Sequence, residues 1–406
     1  MIKVKAFVKE HTLILIYFTV FLILLNGIFI YSGSKYIFEL SLFIFPLLTF
    51  YFGINYFLKN KKINLLKFFE KGKKLIPKWF DVFLFGLSIS LIILHLISVG
   101  GSPGLEGLWI DNSMDIAELR RNITAESSAL WGYLSSFNIK AILPFALLLS
   151  LYKNKKIFFF TLLFIGSFYA FSLMQKSYIL TILLPIFIYL ALNKKILQSF
   201  GIIATCLIVI FSLVYVTNPQ MRGGIDNITI ETIEDPLIEV TNSGPYFTRV
   251  VVGLYHRMFE VPGEMVVGWF DNIPEEKPFL YGEGYHFAKG ITGKEHRNYS
   301  LELYPILRPQ YAERGLQGSV NTASFMYDYS NFGKIGMVLS AFLLALILII
   351  AESVFYNNFI LKISFNFFPI FMLSSGALTT ALFSNGWGPV ILLYFLFSIE
   401  LKSSNE

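Results

Sequence analysis

The sequence predicts an all-α polytopic integral membrane protein with about ten transmembrane helices and one large folded extracytoplasmic loop between helices seven and eight. Three observations predict this class: the composition, the long apolar runs and the placement of the basic residues. Of the 406 residues, 55% are hydrophobic and only 15% are charged, whereas a soluble protein has about 25% charged residues. Together with a mean hydropathy of +0.62, this excludes a soluble enzyme, a disordered chain and a nucleic-acid-binding protein.

Ten apolar runs reach or approach the roughly 17–25 residues that a transmembrane helix needs. They are residues 12–31, 37–58, 79–99, 131–152, 157–174, 178–192, 196–217, 333–355, 363–382 and 389–401. The fourth run is weak because Asn138 and Lys140 lie in its first half. The spans divide the chain into three predicted parts. Residues 1–217 hold helices one to seven and a first outer loop at about 100–130, residues 218–332 form a large outer loop, and residues 333–406 hold helices eight to ten.

The lysines predict the orientation of these spans. With both termini in the cytoplasm, the inner segments carry 18 lysines on short loops, as the positive-inside rule requires. Residues 218–332 then lie outside, and a loop of this length that is rich in aromatic and aliphatic residues should fold. The single cysteine, Cys206, lies in an apolar run, so that no disulfide forms within the chain.

All eight arginines fall in the two predicted outer loops. A guanidinium binds phosphate through two parallel hydrogen bonds and stays charged. Since no nucleotide is supplied outside the membrane, the phosphate that fits is a lipid pyrophosphate. The residues predicted to bind it are Arg249, Arg257, Arg222, Lys176, Arg308 and Arg314. Two alternatives stay open: the arginines pair with acidic residues of the loop, and Lys176 is a snorkelling helix end.

The densest candidate site is the segment 245–262, where Pro245 suits the start of a helix and Pro262 its end. At about 100° per residue, four residues of this helix fall on one face: Arg249, Gly253, His256 and Glu260. Such a helix presents a fixed cation, an imidazole and a carboxylate to one cavity. A surface helix without chemistry is the alternative.

Other polar residues and several absent motifs complete the pattern. His95 lies alone in a span and is expected to be a packed histidine, while Glu39 and Glu352 lie near span ends and are expected to reach the interface. The sequence has no Asp-x-Asp, Walker loop, Gly-x-Ser-x-Gly or His-Glu-x-x-His motif. No metal and no cofactor are therefore predicted.

Three local features of the outer segments form a recognisable pattern. The first is the short outer turn at 174–180, with Lys176 before an apolar span. The second is the outer loop with its arginine-led helix, then Trp269-Phe-Asp-Asn272, Pro305 and Arg308-Pro309. The third is the end of that loop, Asn321-Thr-Ala-Ser followed by Tyr329-Ser-Asn-Phe-Gly-Lys-Ile-Gly336. Together they resemble the bacterial O-antigen polymerase family, the Wzy-type polymerases of oligosaccharide repeat units.

The resemblance implies an enzyme that transfers a growing glycan from undecaprenyl pyrophosphate to the sugar of an incoming undecaprenyl-pyrophosphate-linked repeat unit. It places the protein in the bacterial inner membrane with a periplasmic active site, a chain-length regulator and a flippase as partners, and no nucleic acid. The acceptor hydroxyl needs a general base, for which we predict His256, then Glu260, with Asp111 or Asp115 as weaker candidates. The alternatives are an O-antigen ligase and a non-enzymatic transporter or flippase.

Overall fold

The computed structural model describes residues 2–60, 79–126, 128–219, 245–285, 290, 293–313, 315 and 317–396. Every regular element in these residues is helical, which confirms the all-α class. The first helices are α1 (Ile2–Glu10), α2 (Thr12–Ser32), α3 (Ile37–Asn60) and α4 (Phe80–Ser98).

The rest of the described chain continues this helical pattern. The central helices are α5 (Pro103–Glu106), α6 (Ser113–Glu126), α7 (Ala129–Phe137), α8 (Leu143–Tyr152), α9 (Lys156–Ser172), α10 (Lys176–Leu192) and α11 (Ile196–Thr217). The later helices are α12 (Tyr246–Phe259), α13 (Val261–Asn272), α14 (Tyr299–Glu302), α15 (Tyr304–Leu307), α16 (Pro309–Ala312), α17 (Ser324–Val354), α18 (Phe359–Met372), α19 (Leu378–Leu382) and α20 (Trp387–Leu396).

Each of the ten predicted spans overlaps an apolar helix or a pair of consecutive helices, and residues 397–401 of the tenth span lie outside the described residues. Six helical stretches are long and apolar enough to cross a membrane: Thr12–Ser32, Ile37–Asn60, Phe80–Ser98, Leu130–Tyr152, Ile196–Thr217 and Ser324–Val354. The helices α9, α10, α18 and α20 are apolar but have only 10–17 residues. The chain thus has the helices of a multi-pass membrane protein, and the number of ten crossings stays a prediction.

The helix of the eighth predicted span begins earlier than expected. α17 starts at Ser324, nine residues before the predicted start, and bends at Phe332 and Gly333. Gly333 has a φ of 59°, a backbone conformation that glycine adopts without steric cost. Asn331, just before this bend, holds the turn around Gly282 and Gly284 against α17. Its Oδ1 accepts hydrogen bonds from the backbone N–H groups of Gly282 at 3.0 Å and Gly284 at 3.1 Å.

The two polar residues that weakened the fourth predicted span have partners inside the protein. A π-helical turn, Asn138–Ile142, joins α7 to α8. Asn138 is fully buried, and its Nδ2 donates to the carbonyl of Ser88 at 3.0 Å. Lys140 Nζ donates to Asn385 Oδ1 at 2.9 Å. A buried polar group with a hydrogen-bond partner is tolerated in an apolar helix, because the partner offsets the cost of its desolvation.

The chain forms two compact units. The first unit comprises residues 1–71, 254–356 and 370–381, and the second comprises residues 72–253, 357–369 and 382–406. Within the first unit, α3 packs along α17 and α2 packs along α13. Within the second unit, α10 packs against α11 and α8 packs against α9. The boundary between the units falls inside α12, so that His256 belongs to the first unit and Arg249 to the second.

Glu352 has a structural role that its position near a span end did not predict. It is 7% exposed, and its Oε1 accepts a hydrogen bond from the backbone N–H of Leu13 at 2.5 Å. Leu13 lies in the first turn of α2, where N–H groups lack helical partners and a negative charge is favourable. Glu39, in contrast, lies 3.6 Å from Lys334 Nζ, and the lysine is more than half exposed.

Candidate functional site

The candidate site lies in the first unit, where α12 ends and α13 begins. Pro262 cannot continue α12, because its ring would clash with the carbonyl of residue 258 and it has no N–H to donate. α12 therefore ends at Phe259, and Pro262 lies in the first turn of α13, where a missing N–H has no cost. The helix predicted over 245–262 is thus present as Tyr246–Phe259, and Glu260 lies between the two helices, with its N–H still donating to the carbonyl of His256 at 2.9 Å.

Two glycines hold this junction against α2. A Cβ atom on Gly263 would lie 2.3 Å from the carbonyl carbon of Gly27, and a Cβ on Gly27 would lie 2.9 Å from the carbonyl oxygen of Phe259. Both distances are shorter than real Cβ contacts. The backbones of α2 and α13 therefore touch directly, which fixes the position of Glu260 between them.

His256 and Glu260 form a hydrogen-bonded pair at this junction. His256 Nδ1 lies 2.6 Å from Glu260 Oε2, with the two residues one helical turn apart. A carboxylate only accepts hydrogen bonds, so that Nδ1–H donates to it. In the neutral imidazole this leaves Nε2 with its lone pair free of a proton, which is the form that a general base needs.

The second nitrogen of His256 has no hydrogen-bond partner in the part of the chain that the structure describes. His256 is 8% exposed, and its Nε2 atom is buried with no hydrogen bond to any residue that the structure describes. Buried polar atoms are almost always hydrogen bonded, and an exception calls for a ligand, a water molecule or a chemical role. The imidazole is thus held on one side by a carboxylate, while on the other side its Nε2 atom is buried without a hydrogen-bond partner among the described residues.

The arginines of α12 lie in contrasting surroundings. Arg257, next to His256 in the first unit, is exposed. Arg249, near the start of α12 in the second unit, is 4% exposed and has a partner. Their roles in binding pyrophosphate stay predictions.

Arg308 is paired with a carboxylate of the same unit. Its Nη1 donates to Glu264 Oε1 at 2.6 Å and its Nη2 donates to Glu264 Oε2 at 2.5 Å. This bidentate pair corresponds to the alternative interpretation, in which loop arginines bind acidic residues. Sequence reasoning missed Glu264 as the partner because 44 residues separate it from Arg308.

The other predicted cations lie away from the junction or outside the described residues. Lys176 begins α10 in the second unit, where it is partly buried and has a partner. Arg222 and Arg314 lie outside the described residues. Asp111 and Asp115 are exposed at the start of α6 or just before it, also in the second unit.

Two further ion pairs lie in the first unit, Lys35–Asp271 and Arg297–Glu302. Lys35 Nζ lies 2.5 Å from Asp271 Oδ1, and the Tyr36 hydroxyl donates to the same oxygen. Burial raises the pKa of Asp271, but these two hydrogen bonds outweigh it and hold the pKa below its usual value. Arg297 donates to Glu302 through Nε at 3.0 Å and Nη2 at 2.6 Å. This pair lowers the pKa of Glu302 despite an opposing effect of burial.

The aromatic residues of this segment mostly serve packing. Tyr299 is 2% exposed, and its hydroxyl donates to the carbonyl of Pro278. The Tyr285 hydroxyl donates to Asp328, whereas Tyr281 is 72% exposed and remains accessible.

Among the residues that the structure describes, no three His, Cys, Asp or Glu side chains group closely enough to hold a metal ion. The polar groups paired at the junction are an imidazole and a carboxylate, 2.6 Å apart. Comparison with known proteins finds no matching family model, no similar curated protein and no similar solved structure.

Proposed function

We propose that this protein polymerises lipid-linked oligosaccharide repeat units on the outer face of the bacterial inner membrane. In this proposal both termini are cytoplasmic, 218–332 is the periplasmic loop between 1–217 and 333–406, and ten helices cross the bilayer. The multi-pass helical architecture and the absence of arginine from every predicted cytoplasmic segment support it. A chain-length regulator and a flippase are the proposed partners.

The observation that carries the proposal is the orphaned Nε2 of His256. Glu260 fixes the tautomer in which this nitrogen accepts a proton, and burial keeps it away from competing partners among the described residues. A sugar hydroxyl is a poor nucleophile at neutral pH and needs such a base. A positioned base typically contributes about 10²–10⁴-fold to the rate.

The proposed step moves one proton and exchanges one bond. The hydroxyl of the incoming sugar gives its proton to His256 Nε2 while its oxygen forms a bond to the anomeric carbon of the growing glycan. The bond from that carbon to the phosphate oxygen breaks, and undecaprenyl pyrophosphate leaves with the electron pair. Direct displacement inverts the anomeric centre. Glu260 stabilises the imidazolium, as a carboxylate does in hydrolase triads.

The leaving pyrophosphate needs positive charge. Arg257 is the exposed guanidinium next to the base in the first unit, and a contribution from Arg249 rests on the sequence alone. Charge from guanidinium groups lets the leaving group depart without a metal. Arg308 is the weakest candidate of the set, because Glu264 already neutralises it.

The test is polymerisation of purified lipid-linked repeat units by matched amounts of variants. We expect His256→Ala to lose about 10²–10⁴-fold in rate. Glu260→Gln should lose less, because the amide oxygen still accepts from Nδ1 but carries no charge. Glu275→Gln, an exposed glutamate just after α13, is the matched control and should be unchanged. Near-normal rates of both site variants across about pH 6–8 would contradict the assignment of the base.

The glycan profile of a deletion strain separates the polymerase from the alternatives. Loss of a polymerase leaves single repeat units attached to lipid A. Loss of a ligase leaves lipid-linked chains with none attached to lipid A. Loss of a flippase leaves lipid-linked single units on the inner face of the membrane. Only the first profile agrees with the proposal.

A further inference from the structure

The second unit contains a cavity of about 350 Å³ that the proposed reaction does not use. It lies between the end of α4, α7, the turn before α10 and the turn before α20. Its lining residues are His95, Ile123, Ser128, Gly132, Tyr133, Ser135, Ser136, Leu173, Gln175, Tyr178 and Ser384. The volume is within the range of about 300–1,000 Å³ that is usual for small-ligand sites.

The cavity lies at the predicted outer ends of the helices. The lysine distribution places residues 100–130, the turn before α10 and the turn before α20 on the periplasmic side. Each of these segments contributes to the lining. A ligand in the cavity therefore lies at the face of the membrane where lipid-linked glycans are proposed to be joined.

The lining chemistry fits a neutral, hydroxyl-rich molecule. Eight of the eleven lining residues carry a polar atom in the side chain, and none of the eleven is Asp, Glu, Lys or Arg. Carbon atoms nevertheless form most of the cavity surface, since serine and tyrosine present C–H groups and ring faces. A sugar ring combines an apolar C–H face with hydroxyl groups at its edge. An alkyl chain would leave the polar atoms without partners, at a cost of desolvation.

His95 and Lys140 support the cavity from two sides. His95 is 2% exposed, and its Nδ1 lies 2.8 Å from the hydroxyl of Tyr169. This bond orients the imidazole and leaves Nε2 as the ring nitrogen for a ligand. Lys140 Nζ donates to the carbonyl of Ser384 at 3.1 Å and lies 5.6 Å from the centre of the Tyr178 ring. The lysine thus links two of the lining residues from the π-helical turn, a feature that often marks functional positions.

We propose that this cavity binds one sugar ring of the glycan substrate, held by hydrogen bonds to His95, Gln175 and Tyr178 and by contact with the ring of Tyr133. This inference rests on the proposed function for the identity of the ligand. It assigns a glycan-binding site to the second unit, separate from the His256–Glu260 pair of the first unit.

The first test measures occupancy without any catalysis. Two single-cysteine variants are made in full-length protein that carries Cys206→Ala. One has Ser136→Cys, at a residue that lines the cavity, and the other has Ser177→Cys, at an exposed residue beside the turn before α10. A maleimide then labels either thiol, in the presence of methyl glycosides of hexoses, 6-deoxyhexoses and N-acetylhexosamines. A bound glycoside at ten times its Kd should slow labelling at position 136 about tenfold, because only empty cavities react. Labelling at position 177 should not change.

Two results of this test overturn the assignment. One is no protection by any glycoside up to about 100 mM, well above the Kd of a millimolar site. The other is protection by 1-decanol alone, which would make the cavity a site for alkyl chains.

The second test measures polymerisation. Removing one neutral hydrogen bond by Tyr178→Phe should raise the KM for the lipid-linked repeat unit about five- to tenfold. Tyr189→Phe on the same helix, which does not line the cavity, should behave like wild type. Equal KM values for the two variants contradict the site. Protection without polymerisation by the wild type refutes the proposed function but not the cavity, whereas polymerisation without protection refutes the cavity alone.

Discussion

Replacing Gly263 with alanine should disturb both the stability of the first unit and the position of the candidate base. The added Cβ would lie 2.3 Å from the carbonyl carbon of Gly27, 2.4 Å from the nitrogen of Ile28 and 2.6 Å from the Cα of Gly27. All three are backbone atoms of α2, so that no side chain can turn away. The two helices must move apart.

The size of the movement follows from the distances. Carbon atoms in contact lie about 3.5–4.0 Å apart, so the 2.3 Å approach to the carbonyl carbon of Gly27 requires α2 and α13 to separate by roughly 1.2–1.7 Å at this point. Overpacking of this kind costs about 1–3 kcal/mol, and the backbone clash favours the upper end. The higher helix propensity of alanine than of glycine offsets roughly 1 kcal/mol of this cost. The net loss is therefore about 2 kcal/mol, or roughly 4–8 °C in Tm.

The assays are thermal unfolding in detergent at one scan rate and polymerisation at a fixed protein amount. Because Glu260 directly precedes α13, the same shift should misplace it against His256, and a displacement of about 1 Å can cost on the order of 100-fold in rate. Gly53→Ala is the control, since a Cβ there meets nothing within 4 Å. It should keep or slightly raise Tm. Equal Tm values for the Gly263 variant and wild type would refute the argument that the two backbones are in contact.

Three further predictions concern charge and topology. Arg297 holds the pKa of Glu302 below its ordinary value of 4.5, so the ion pair stabilises the fold above that pH, and this stabilisation is lost as the pH falls through the lowered pKa. The Tm of the wild type should therefore drop more on acidification than the Tm of Glu302→Gln. Equal slopes of Tm against pH for the two proteins would refute the contribution of the pair. Replacing Arg249 or Arg257 with alanine should strongly reduce polymerisation by a properly inserted protein. Replacing either with lysine should restore only part of the activity, because lysine lacks the bidentate fork of the guanidinium. Full activity of both alanine variants would show that the two arginines are not part of the site. In a cysteine-free background, Ser243→Cys should react with an impermeant thiol reagent only from the outside, and labelling from the cytoplasmic side alone would reverse the orientation.

The His256–Glu260 pair shows what local sequence spacing can predict. Residues four apart in a helix lie on the same face, so the sequence alone placed these two side chains together, and the structure shows them hydrogen bonded at 2.6 Å. Their catalytic role stays a prediction. Arg308 shows the opposite case, because its partner Glu264 is 44 residues away and no periodicity relates the two.

The sequence by itself determined the helical class and the approximate position of the long apolar helices, although α17 begins nine residues before its predicted start. The physical reason is that backbone groups in an apolar medium must be hydrogen bonded within the segment, which permits few structures other than helices. The sequence also determined the spacing of His256 and Glu260. Only the tertiary structure decided which groups meet across the chain: Gly27 against Gly263, Glu352 at the start of α2, and the cavity beside His95. These contacts depend on how helices pack, and packing is set by the complementary shapes of distant segments, which a linear pattern of apolar and polar residues does not encode.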